Sequence, residues 1–180
     1  MTHTPAYQLP SQVSPQHYAI RLTPDLRAFT FDGEETVGII VHEPVSEIVL
    51  NAIELAIHSV SVSGPDGQTL DATVSLDSEQ ERASFHFPQP LAPGAWTLRI
   101  SFSGILNDKL HGFYRSTYTT ADGQEKVLAS TQFESTDARR AFPCWDEPAL
   151  KAVFQVTLVI DADLTAISNA AVVRETPLPA

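Results

Sequence analysis

Apolar and polar residues alternate with a period of two along much of this chain. Tyr18, Ile20 and Leu22 stand against Ala19, Arg21 and Thr23, and Trp96, Leu98, Ile100 and Phe102 against Thr97, Arg99, Ser101 and Ser103. Successive side chains of an extended strand point to opposite faces, so each run predicts a strand with one dry face and one wet face. The same pattern predicts strands over Phe29 to Val41, Glu47 to Ile53, His58 to Ser63, Leu70 to Leu76, Ala83 to Phe87, Phe113 to Thr119, Lys126 to Glu134, Ala152 to Ile160 and Thr165 to Val173. Turn chemistry punctuates them at Pro24-Asp25, Asp32-Gly33, Gly64-Pro65-Asp66-Gly67, Pro93-Gly94 and Asp122-Gly123. About ten short strands joined by tight turns describe an all-β fold, an antiparallel sandwich. A sustained helical period is missing; the one helical turn predicted lies at Asp146 to Lys151, with Pro148 in its first turn among acidic residues.

Length adds that 180 residues suffice for one domain with a full core and are short for two. The β domain is expected over residues 15–174, with an arm at 1–14 and a tail at 175–180 that hang loose. A net charge of -11 repels phosphate backbones and anionic membrane surfaces, so neither nucleic acid nor membrane is an expected partner. The single cysteine, Cys144, excludes an internal disulfide, and the polar start MTHTPAYQLPS lacks a basic then apolar leader. No stretch of about 20 apolar residues is present to span a bilayer. These features predict a cytoplasmic location.

The familiar catalytic patterns are absent. Six histidines, His3, His17, His42, His58, His86 and His111, include no pair at the i, i+4 spacing that sets two imidazoles on one helix face. His42-Glu43 begins like a zinc-protease HExxH motif, but Ser46 stands where the second histidine belongs and Pro44 interrupts it. Cys144, between Pro143 and Trp145, reads as a small buried hydrophobe rather than an activated thiolate. The serines include no G-x-S-x-G elbow.

Polar chemistry concentrates instead in TQFESTDARRAFPCWDEPALKA, Thr131 to Ala152. If Lys126 to Glu134 is a strand, Gln132 and Glu134 share a face about 6.5 to 7 Å apart, an amide oxygen beside a carboxylate. Such a pair suits an ammonium group, which has three donors and no acceptor. The solvated face of an edge strand accounts for the same spacing. Downstream, Asp137, Arg139, Arg140, Asp146 and Glu147 offer guanidinium forks to carboxylates, and predict a brace that fixes an irregular loop against Phe142 and Trp145.

The run TQFESTDARRAFPCWDEPALKAVF closely resembles the signature near the end of the N-terminal domain of zinc aminopeptidases of the puromycin-sensitive and alanyl aminopeptidase family. LPSQVSPQHYAIRLTPDL, FTFDGEETVGIIV, IVLNAIEL, GILNDKLHGFYRSTY and the late SNA at Ser168 to Ala170 agree in order. The resemblance implies a saddle-like antiparallel β domain that precedes a thermolysin-like catalytic domain and forms part of its active site. It implies that Gln132 and Glu134 reach that site, with Glu134 helping to hold the free α-ammonium of a peptide substrate. The zinc of such enzymes is held by an HExxH motif and a more distant Glu, and a Gly-Ala-Met-Glu-Asn loop completes the ammonium site; neither occurs in these residues. The resemblance therefore implies no catalytic residue and no metal ligand in this chain, zinc only in a full-length enzyme, the enzyme's own catalytic domain as partner, and no peptidase activity from these 180 residues alone. The alternative is a stand-alone β-sandwich binding or scaffold module without enzyme activity. Relatives commonly continue the SN motif with Met-Pro where this chain has Ala170-Ala171.

Overall fold

A computed structural model describes residues 8–178; residues 1–7 of the expected arm and 179–180 of the expected tail lie outside the described residues. The alternation resolves into eleven strands and one 3-10 turn. Six strands form the larger sheet: β1 (Val13–Asp25), β2 (Thr30–Val41), β4 (Leu55–Ser63), β5 (Thr69–Asp71), β8 (Gly94–Ile105) and β11 (Val153–Leu158), in the order β11-β1-β2-β8-β4-β5. A second sheet holds β3 (Val45–Asn51), β7 (Arg82–Leu91) and β6 (Thr73–Asp77), in the order β3-β7-β6. The hairpin of β9 (Gly112–Thr119) and β10 (Glu125–Gln132) is a sheet of its own, and the 3-10 turn η1 spans Ala138–Arg140. The expected all-β, sandwich-like architecture is what forms, with one departure: β11 runs parallel to β1.

The dry faces meet in one core, Tyr18, Val37 and Leu98 from the larger sheet against Ile48, Leu50 and Phe85 from the smaller. Burying a side chain of this size stabilises by roughly 1.5 to 3 kcal/mol, so this two-sheet contact dominates the fold. On β2 and β8 two rings lie across glycines on the neighbouring strand. Phe31 pairs with Gly104 and Phe102 with Gly33. A Cβ added at Gly104 or Gly33 would come within 2.3 or 2.2 Å of the facing ring, so each glycine makes room for a buried Phe.

Four expectations are corrected. Leu70 to Leu76 is two strands: the chain crosses from β4's sheet to β7's at Ala72, whose N–H donates to Val60 O at 2.9 Å. Alternation sets which face a residue takes but not which neighbour it pairs with, so period alone does not reveal the crossing. Thr165 to Val173 forms no strand, since it finds no partner ladder among the described residues. The helical turn is η1, not Asp146 to Lys151; there Pro148 occupies the second position of a β-turn closed by Leu150 N–H to Glu147 O at 3.0 Å. Finally, the described residues of the arm are tied down: Leu9 is buried, its N–H donates to Glu147 Oε1, and His42 N–H donates to Gln12 O.

Candidate ammonium-binding site

Gln132 is the last residue of β10, paired with Gly112 of β9, and its side chain is exposed. The strand stops there. Glu134, expected two places along the same face, stands instead on the exposed turn between β10 and η1, after Phe133 has left the ladder. What joins the two is local: Gln132 Nε2 makes a long contact to Glu134 O at 3.5 Å. The Glu134–Ser135 peptide bond is cis.

The turn is anchored at both ends. Phe133 meets Phe142 edge to face at 6.0 Å, and Asp137 N–H closes onto Phe133 O at 2.9 Å. Phe142 in turn packs on buried Tyr18, whose hydroxyl accepts the Trp145 N–H at 3.3 Å. An aromatic relay thus carries the position of the large sheet to the turn that bears Glu134.

The brace is present and larger than its sequence signal. Arg139 bonds Asp146 through Nε at 2.9 Å and Glu81 through Nη1 at 3.0 Å. Arg140 bonds Asp137 through Nε at 2.8 Å and Glu54 through Nη1 at 2.8 Å, with Glu81 Oε1 at 3.5 Å from Nη2. Burial works against the Arg140 charge, but the bonds to Asp137 and Glu54 outweigh it and raise its pKa above the ordinary value. Glu54 and Glu81 come from loops distant in sequence, both in left-handed backbone with φ of 59 and 54°. Glu147, expected in the network, pairs with neither arginine and serves Leu9 instead. Main-chain bonds complete the frame: Asn51 and Cys144 exchange N–H to O bonds at 2.8 and 3.0 Å, Asn51 Oδ1 accepts the Asp146 N–H, and Ile53 N–H donates to Arg139 O.

Cys144 is buried, and burial, with the Asp146 and Glu35 charges adding to it, pushes its thiol pKa well up. Among the described residues no three His, Cys, Asp or Glu side chains gather so as to hold a metal ion, so these residues do not fit a zinc site. Among the same residues no helix is long and apolar enough to cross a membrane. Sequence reasoning missed two further groups. Glu35 lies on the dry face of β2 with neither oxygen paired, a position the alternation Phe31-Gly33-Glu35-Val37 does reveal. His111 faces Asp137, and no local pattern marks that contact.

The family model for the Peptidase M1 N-terminal domain matches residues 14–180. The chain is 44% identical over 171 residues to the puromycin-sensitive aminopeptidase of Caenorhabditis elegans, an alignment covering 94% of this chain and 18% of that protein. It is 44% identical over 174 residues to the alanine/arginine aminopeptidase of Saccharomyces cerevisiae, covering 93% of this chain and 20% of the relative. With Aminopeptidase M1 of Arabidopsis thaliana it shares 43% identity over 172 residues, again 93% and 20%. The chain spans about a fifth of the length of these curated relatives. By the extent of the family match and the level of identity, the chain belongs to the Peptidase M1 N-terminal domain family.

Proposed function

We propose that this chain is the substrate-anchoring N-terminal domain of a cytoplasmic zinc aminopeptidase that removes single residues from peptide N-termini. The observation that carries the reading is the stance of Glu134: an exposed carboxylate on a turn whose ends are fixed by Phe142 and Asp137, two residues beyond the exposed amide of Gln132. A free α-ammonium presents three N–H donors, and the Glu134 carboxylate with Gln132 Oε1 supplies charge and acceptors for them. Held there, the amine measures one residue from the peptide's end, which is what exopeptidase action requires.

Catalysis belongs to the partner, the enzyme's own catalytic domain. Zinc, held by residues outside these 180, supplies a polarised water for hydrolysis. This chain's residues bind and orient the amine, and the isolated chain is inactive. A partner body is supported by β11, where Val153, Phe154 and Val156 are all more than half exposed at the sheet edge.

In the complete enzyme, Glu134→Ala is expected to lower kcat/KM for an aminoacyl amide about 30-fold, the worth of a hydrogen-bonded charge contact of about 2 kcal/mol, chiefly through KM. Gln132→Ala should do so less. Steady-state kinetics unchanged by Glu134→Ala would sink the assignment. Release of any N-terminal amino acid by the isolated chain, after metal depletion and zinc re-addition, would refute its inactivity.

A further inference from the structure

The β9–β10 hairpin shares no ladder with either larger sheet; a main-chain bond from Arg115 N–H to Asn107 O at 2.8 Å ties it to the segment after β8, and side chains add to that hold. The tightest point of that junction is the start of β9. Leu110 and Gly112 there both take left-handed backbone, with φ of 63 and 68°. A Cβ on Gly112 would come within 2.6 Å of Arg140 Cβ, so β9, the end of β10 and η1 meet with no room between them. His111 lies between those two residues, and its main chain is pinned by Asn107 Nδ2, which donates to His111 O at 2.9 Å.

From this place the imidazole turns inward. Its Nδ1 is shut off from water, lies 3.5 Å from Asp137 Oδ1, and has no hydrogen-bond partner among the described residues. Asp137 is the residue that closes the Glu134 turn through its N–H, and the same Oδ1 accepts from Arg140 Nε at 2.8 Å.

We infer that His111 is a positioning residue for the ammonium anchor: its Nδ1 carries a proton and clasps Asp137 from the β9 side, while Arg140 clasps it from the other. The inference rests on the reading of Glu134 given above. A bare Nδ1 would aim a lone pair at a carboxylate oxygen in a spot without water, leaving two acceptors face to face. A protonated Nδ1 makes the same contact attractive, and closing it by about 0.5 Å gives an ordinary N–H···O distance. The charged residues of the ring's own loop are engaged elsewhere, Asp108 with Arg115 and Lys109 with Glu54. The clasp thus ties the end of the β10 ladder to the base of the turn that holds Glu134.

Two measurements test it. In the 180-residue chain labelled with 15N-histidine, with His111→Asn used for assignment, the neutral His111 ring should be the Nδ1–H tautomer, and Asp137→Asn should shift it toward Nε2–H. An unprotonated Nδ1 overturns the clasp whatever Glu134 does. In the complete enzyme, His111→Phe should raise KM for an aminoacyl amide about tenfold with kcat within about twofold, as expected of a misplaced binding group. His111→Asn, whose side-chain amide offers an N–H near the Nδ1 position, should restore most of it. A fall in kcat with KM unchanged reports lost active enzyme and counts against the clasp. Wild-type kinetics for His111→Phe beside an impaired Glu134→Ala overturns it and leaves the anchor standing. If Glu134→Ala is itself silent, the anchor falls, and the tautomer alone still decides the contact.

Discussion

On the inner face of the larger sheet Glu35 is 2% exposed with neither oxygen paired among the described residues, whereas in the brace Glu54, Glu81, Asp137 and Asp146 all meet guanidinium nitrogens. The brace carboxylates range from largely buried Asp146 to half-exposed Glu54, and all are paired; the backbone explains the difference. A residue in the middle of β2 is locked by ladders to β1 and β8, so its side chain must take the face its register assigns. Glu35 therefore stays inside, and burial pushes its carboxyl pKa well above the ordinary value of 4.5. The loops carrying Glu54 and Glu81 have no such register, and their left-handed turns bring the carboxylates round to the arginine forks. Irregular backbone can be arranged around a charge; a central strand cannot.

That contrast is open to breakage from the charged side first. Arg139→Ala leaves Glu81 and Asp146 without their shared cation, and is expected to destabilise the chain by about 3 kcal/mol, the cost of breaking a largely buried pair from one side. Urea denaturation monitored by tryptophan fluorescence measures it, and a loss below about 1 kcal/mol would show the brace to be surface decoration. The opposite sign is expected in the sheet. Glu35→Met, similar in volume and free of unpaired oxygens, should stabilise by about 1 to 2 kcal/mol in the same assay.

The same carboxyl also makes the contrast pH-dependent. Below 4.5 the folded and unfolded chains both keep the Glu35 proton, and ionisation costs nothing. Above it the unfolded chain releases a proton that the fold retains, so stability falls as pH rises until the folded carboxyl ionises too. Glu35→Gln removes this slope, and its advantage over the native chain should grow between about pH 4 and about pH 7. A constant difference across that window would mean the buried carboxyl ionises as it does in the unfolded chain.

The strands were legible because a two-residue period reports burial directly. Leu98, Ile100 and Phe102 are buried as β8's alternation requires, and Arg99 is exposed. Pairing was not legible: the step at Ala72 and the parallel partnership of β1 with β11 depend on contacts far apart in the chain. Of the brace, Asp137, Arg139, Arg140 and Asp146 were visible as opposite charges within ten residues. Glu54 and Glu81, more than fifty residues upstream, were not. Gln132 and Glu134 were singled out as strand neighbours, but the strand ends before Glu134 and a turn presents it instead.

By itself the sequence determined the all-β class, the dry and wet faces of most strands, and a family resemblance strong enough to single out Glu134 among many carboxylates. Local periodicity and short motifs carry that information because each depends on a few consecutive residues. Only the tertiary structure decided which carboxylates meet Arg139 and Arg140, that Glu35 is left unpaired, and that His111 faces Asp137. The Glu54, Glu81 and His111 contacts join side chains from separate loops, and the Glu35 environment is set by two packed sheets, so these depend on where whole elements pack rather than on a residue's neighbours in the chain.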